Sequence, residues 1–134
     1  MILLVEDEPF VRETTCSILQ SAGFDVLPAP DASTALQLYE DRPRPIDLIM
    51  TDMVLPGRSG KQLGDDLRQR SPEIAVLITS GYGNLEYEQL DREQKEPGSR
   101  THFLAKPYSR RTLVEKIEKI LGGAPRARPA TQAG

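Results

Sequence analysis

Three short apolar runs constrain this chain more than any other feature: ILLV at 2–5, IDLIM at 46–50 and IAVLIT at 74–79. Each is close to continuous, without the apolar–polar alternation of a half-exposed strand, and each is far too short to cross a membrane. Strands covered on both faces read this way, as in a parallel sheet held between helices. Between the runs, apolar residues recur at helical spacing. Val11, Thr15, Ile18, Leu19 and Ala22 form one stripe, opened by Pro9 and closed by Gly23. Ala32, Ala35, Leu36 and Tyr39 form a second, capped by Asp31 and ended by Pro43 and Pro45. Leu63 and Leu67 follow the turn LPGRSG (55–60), and Leu113, Val114, Ile117, Ile120 and Leu121 share one face behind Ser109 as cap. Weaker strands are expected at FDVLPA (24–29), confined to a sheet edge by Pro28, and at THFLA (101–105). SGYGN (80–84) reads as a loop, followed by a very polar helix carrying Leu85 and Leu90. Five strands alternating with five helices predict an α/β fold: a doubly wound, five-stranded parallel sheet with helices on both faces.

Composition narrows the function. The 134 residues suit one domain, expected over 1–121, and the Gly-, Ala- and Pro-rich stretch 122–134 is expected to be a disordered tail. A net charge of −3 leaves no basic footprint, which argues against direct nucleic-acid binding. One cysteine cannot form an internal disulfide, and no apolar run reaches the ~18 residues of a membrane span. The N-terminus has no basic region ahead of its apolar stretch, so a cytoplasmic location is expected.

The chemistry gathers where the strands end. In an open parallel sheet, ligands bind beyond the carboxyl ends of the strands, at the point where strand order reverses. The first run ends at Glu6-Asp7, the third strand at Asp52, the fourth at Thr79-Ser80, and the fifth runs into Lys106. If these strands are neighbours, three carboxylates, a hydroxyl and an ammonium share one cleft. Carboxylates with no His or Cys among them suit a hard cation, Mg²⁺ above all, with Mn²⁺ as the alternative. An ionised Asp can also act as a nucleophile and form an aspartyl phosphate. The metal, a lysine and a hydroxyl would then stabilise the transferring phosphoryl oxygens.

LLVEDEP, DLIMTDMVLPGRSG, VLITSGY and FLAKPYS, in this order over about residues 1–121, resemble the response-regulator receiver domain of two-component signalling. The resemblance implies a flavodoxin-like (βα)5 fold. It implies Asp52 as phosphoacceptor, Asp7 as a direct metal ligand, Glu6 acting on the metal through water, and the Val54 backbone carbonyl as the third protein ligand. Thr79 matches the hydroxyl that follows the phosphoryl group, and Lys106 the cation that pairs with Asp52 and then with phosphate. Phe103 occupies the aromatic switch position, where a Phe can work by packing alone, and Pro107 the place of a cis peptide. The implied partner is a histidine kinase or a histidine phosphotransfer domain. SGYG and KPYS look most like receivers attached to hybrid sensor histidine kinases; a stand-alone regulator is the alternative.

Other residues take plainer readings. Glu8 suits the positive end of the first helix dipole, Cys16 lies at the core margin, His102 has no second soft ligand, and Gly57 and Gly60 serve the turn. The stretch from Thr79 to Lys106 is a few residues longer than the family's usual spacing, and its hydrophilic segment 84–100 reads as a solvated face. An aspartyl-phosphate hydrolase would need a second acid two residues after the nucleophile, where Val54 stands. A nucleotide-binding module would need a glycine-rich loop after the first strand, and VEDEPFVR has no glycine. A degenerate receiver used only for docking would not keep all five key residues.

Overall fold

The computed structural model describes residues 1–41, 45–81 and 101–122. Five strands form one parallel sheet: β1 (Ile2–Val5), β2 (Val26–Ala29), β3 (Leu48–Asp52), β6 (Ala75–Ser80) and β7 (Thr101–Ala105). A short antiparallel ribbon, β4 (Val54–Leu55) with β5 (Arg58–Ser59), follows β3. The described helices are α1 (Pro9–Ser21), α2 (Ala32–Asp41), α3 (Gly60–Arg70) and α4 (Arg110–Ile120). The polar helix expected around Leu85 and Leu90 and the segment 84–100 lie outside the described residues, as does 123–134 of the tail.

Strand order is β2-β1-β3-β6-β7. Order therefore reverses between β1 and β3, and their carboxyl ends, with Glu6-Asp7 and Asp52, flank the switch point. The period of two along each strand divides the core. Leu3, Val5, Ile49, Val76 and Ile78 pack with Tyr39, Leu63 and Leu67 on one face. Ile2, Leu4, Met50 and Leu77 pack with Leu19, Leu113 and Ile117 on the other. Each such aliphatic side chain, fully removed from water, contributes about 1.5–3 kcal/mol before entropy is counted. Having two covered faces explains why the sequence runs were continuous. Pro28 sits in β2 at the sheet edge, as its missing N–H requires.

Helix starts are set by side chains that satisfy free amides. Asp31 Oδ1 accepts from Thr34 N (2.7 Å), Ser109 Oγ from Thr112 N (3.0 Å), and Ser59 and Gln62 form a reciprocal capping box. Glu8 proves to be the cap of α1, its carboxylate accepting from Phe10 N at 3.2 Å. Gly23 follows α1 at φ +100, where a left-handed residue ends a helix.

Two expectations need correction. Ser80 is not in a loop: it closes β6 opposite Ala105, is buried, and its carbonyl accepts from Lys106 N at 2.8 Å. Gly60 does not belong to the turn but opens α3, for a steric reason given below. No described helix is long and apolar enough to cross a membrane.

Candidate functional site

β1 ends in Val5 and delivers Glu6 and Asp7 to the switch point; β3 delivers Asp52 from its last position. Carboxylate oxygens of Glu6, Asp7 and Asp52 lie within 4.8 Å of one another. Glu6 is buried and Asp7 exposed, with Asp52 between the two. Like charges this close repel, by roughly 4 kcal/mol per pair at 4 Å and the effective dielectric of a protein surface. Lys106 offsets part of that. Its Nζ donates to Glu6 Oε1 at 3.1 Å and to Asp52 Oδ2 at 3.3 Å. Lys106-Pro107 is a cis peptide.

The electrostatics follow from these contacts. Burial pushes the Glu6 carboxyl above its usual range, and the amide of Glu8 and the Lys106 ammonium pull it only partly back. Burial works against the Lys106 ammonium, but Asp52 and Glu6 outweigh it and hold its pKa above the ordinary value. The oxygen-only donor set fits a hard divalent cation and no soft one.

The backbone around Asp52 is tightly held. Asp52 pairs in register with Thr79, and Met53 N donates to the Thr79 carbonyl at 2.7 Å. Thr79 is almost fully buried at the end of β6. A β-carbon at Gly60 would fall 2.1 Å from the Asp52 carbonyl oxygen, so only glycine lets α3 start here. Val54, two residues on, turns its side chain to solvent at 65% exposure and puts no polar group beside Asp52. Phe103, in β7, is buried in the core face shared with Ile78 and Leu63. Cys16 is half-buried, and burial raises its thiol pKa.

The structure thus brings Glu6, Asp7, Asp52 and Lys106 into direct proximity, sets Thr79 beside Asp52, and places Phe103 one layer below. Three features escaped the sequence. Arg12, half-buried in the first turn of α1, donates from Nη1 to the Glu6 carbonyl at 2.9 Å. Thr15, read as one of an apolar stripe, holds its buried hydroxyl 3.3 Å from Tyr108 Oη. Glu8 N closes on Glu6 Oε2 at 3.2 Å. Only Thr15 left a signal: a polar residue among inward-facing apolar ones.

Fold and site define an α/β domain of flavodoxin-like type with an acidic, lysine-bridged pocket at the topological switch point. The model of the response regulator receiver domain matches residues 2–118, and the chain belongs to this family. It is 32% identical over 120 residues to the sensor kinase CckA of Brucella abortus, covering 90% of this chain and 12% of that protein. It is 35% identical over 123 residues to the phosphate regulon transcriptional regulatory protein PhoB of Escherichia coli, covering 90% of this chain and 51% of PhoB. The sporulation initiation phosphotransferase F of Bacillus subtilis is 31% identical over 121 residues, with 90% and 92% covered. The chain therefore spans about an eighth of the first relative, about half of the second and nearly all of the third. Among solved structures, a response regulator receiver domain from Clostridium thermocellum superposes with a TM-score of 0.78 at 26% identity, covering 90% of this chain and 93% of that one. The receiver domain of the hybrid histidine kinase CckA gives 0.73 at 32% identity, covering 90% and 97%. Receiver domains of two-component signalling bind Mg²⁺ at an acidic pocket and interact with histidine kinases or phosphotransfer proteins.

Proposed function

We propose that this domain accepts a phosphoryl group from a phosphohistidine onto Asp52 and changes its signalling surface in response. One observation carries the reading: Lys106 Nζ lies 3.3 Å from Asp52 Oδ2 and 3.1 Å from Glu6 Oε1, beside Asp7. An Asp52 oxygen attacks phosphorus; the new P–O bond forms as the P–N bond breaks, and the bonding pair returns to the imidazole nitrogen. Lys106 is positioned to turn from the carboxylate to the incoming phosphoryl oxygens. Thr79, the register partner of Asp52, offers a hydroxyl to the same group, and Phe103 repacks behind it. Asp7, Asp52 and the Val54 carbonyl would hold Mg²⁺, with Glu6 acting through water because Lys106 and Glu8 N already occupy its two oxygens. The bound cation would supply charge neutralisation for the phosphoryl oxygens. Val54 in place of a second acid speaks against hydrolytic turnover.

The test is intact mass after incubation with a small phosphodonor, with Mg²⁺ or EDTA, on wild type and Asp52→Ala. A single acid-stable, base-labile adduct that needs both Mg²⁺ and Asp52 is expected. Steady release of free phosphate without an adduct would point to a hydrolase, and neither product to a docking domain.

We further infer that the chain is the receiver portion of a cytoplasmic hybrid sensor kinase. Its SGYG and KPYS motifs and its likeness to CckA support this. An antibody raised against the domain should then detect a protein much larger than this chain in its source cells. A band at the chain's own mass would make it a stand-alone regulator.

A further inference from the structure

Arg12 holds the only guanidinium reaching the acidic loop among the described residues, yet it forms no ion pair there. Its Nη1 donates instead to the main-chain carbonyl of Glu6, at 2.9 Å. Arg12 lies in the first turn of α1, where its own amide donates to the carbonyl of the cap residue Glu8 at 2.9 Å. Three other hydrogen bonds hold this loop: Glu6 N donates to the Ala29 carbonyl at 3.0 Å, Glu8 N to Glu6 Oε2 at 3.2 Å, and Lys106 Nζ to Glu6 Oε1 at 3.1 Å; of the four, Arg12 alone takes the Glu6 carbonyl. Asp7, the exposed acid of the cluster, stands between Glu6 and Glu8 and depends on them for its direction.

Taken with the proposed cation site, on which this inference rests, the geometry points to Arg12 as a positioning residue for divalent-cation binding. It fixes the peptide that precedes Asp7, so that the Asp7 carboxylate meets those of Glu6 and Asp52. Because the guanidinium is spent on a carbonyl, it takes no carboxylate oxygen from the site. Groups that orient ligands in this way are worth about 10–100-fold in metal affinity.

The sign of the effect separates this role from simple electrostatics. Removing a positive charge beside three carboxylates should tighten a divalent cation; removing a positioning contact should weaken it. Mn²⁺ binding, followed by the electron paramagnetic resonance signal of free Mn²⁺, reads the difference directly. Arg12→Gln is polar and favourable in a helix but too short to reach the carbonyl. Its Mn²⁺ dissociation constant should rise at least about 10-fold, with the melting temperature of the metal-free protein nearly unchanged. Arg12→Lys, which keeps the charge and one donor, should lie between wild type and Arg12→Gln. An Arg12→Gln dissociation constant equal to or below that of wild type overturns the proposal. If Arg12→Gln melts well below wild type, Arg12→Met, which keeps much of the length but has no donor, decides: affinity at or above that of wild type in a variant that folds normally overturns it, and weakened binding supports it. Failure of the wild type to bind Mn²⁺, or binding unaffected by Asp7→Asn, would instead sink the cation-site reading itself.

Discussion

Gly60 stands under the carbonyl of Asp52 so closely that a β-carbon there would lie 2.1 Å from its oxygen and 3.0 Å from Thr51 Cγ2. The same glycine donates its amide to the Met53 carbonyl at 2.7 Å, so it cannot simply move away. Gly60→Ala must push α3 from the end of β3. Overpacking of this kind costs typically about 1–3 kcal/mol. Urea denaturation should show that loss, and phosphodonor labelling of Asp52 should slow with it; a variant as stable as wild type would mean the contact relaxes freely.

Val54 bears on how long a phosphoryl group stays. Its exposed isopropyl group, two residues after Asp52, offers nothing to orient an attacking water. The aspartyl phosphate is therefore expected to decay slowly in Mg²⁺ without a phosphatase. Val54→Asn should speed the decay by up to about 10-fold, short of the 10²–10⁴ of a true general base. Fast decay in the wild type, followed by adduct mass over time, would contradict this.

Lys106 separates two carboxylates that would otherwise face one another. Lys106→Met keeps the length and removes the charge, leaving Glu6 buried without its cation. The group is only partly buried, so the expected loss is about 1–3 kcal/mol, below the 3–5 of a fully buried pair. Its raised pKa fixes the sign with pH: the stabilisation is complete below the unfolded value of 10.5 and fades as pH rises through the folded one. The gap between wild type and variant, read from denaturation curves, should close on the alkaline side. Added Mg²⁺ should stabilise the variant more than the wild type.

Asp31 gives an acid-side counterpart. Hydrogen bonds from Thr34 hold its carboxyl below the usual range. Its contribution is present above the unfolded value of 3.8 and is lost as pH falls through the folded value. Asn caps a helix as well and does not titrate. Asp31→Asn should match wild type in melting temperature at pH 7 and should lose less of it as the solution is taken below pH 3.8.

The Thr15–Tyr108 pair makes a double-mutant prediction. Tyr108→Phe leaves the buried Thr15 hydroxyl without this partner, at a cost of about 1 kcal/mol for a contact of 3.3 Å. Thr15→Val added to Tyr108→Phe should recover most of that, since removing both polar groups is close to neutral. Additive losses in chemical denaturation would show that the two hydroxyls do not interact.

The parts of this molecule that could be read in advance share one cause. β1, β3 and β6 are covered on both faces, so their residues carry no polar alternation, and the acids that end them stand out against the apolar run. Glu6, Asp7 and Asp52 are legible in that way, and Thr79 and Lys106 as the hydroxyl and the ammonium at the ends of β6 and β7. β3 nevertheless begins at Leu48, two residues after the apolar run does: Ile46 is buried ahead of it, and Asp47, half-buried, bonds through its backbone to Met1 and Ala75. Ser80 looked like a loop residue because a serine before glycine breaks the pattern, yet pairing with Ala105 keeps it in the strand. Arg12 and Gly60 were illegible for a deeper reason. Their roles arise from contacts across elements, a side chain on a neighbouring carbonyl and a missing β-carbon, and no local spacing records either.

The ion pair of Lys106 with Glu6 joins residues 100 positions apart, and that with Asp52 residues 54 apart. A ribosome adding about 5–20 residues per second exposes the acids several seconds before the lysine exists. Until β7 docks against β6, the nascent chain holds a cluster of negative charge with no cation of its own. On the function proposed above, the last strand would act as a completion check: a truncated or half-folded copy would carry Asp52 without the lysine that pairs with it.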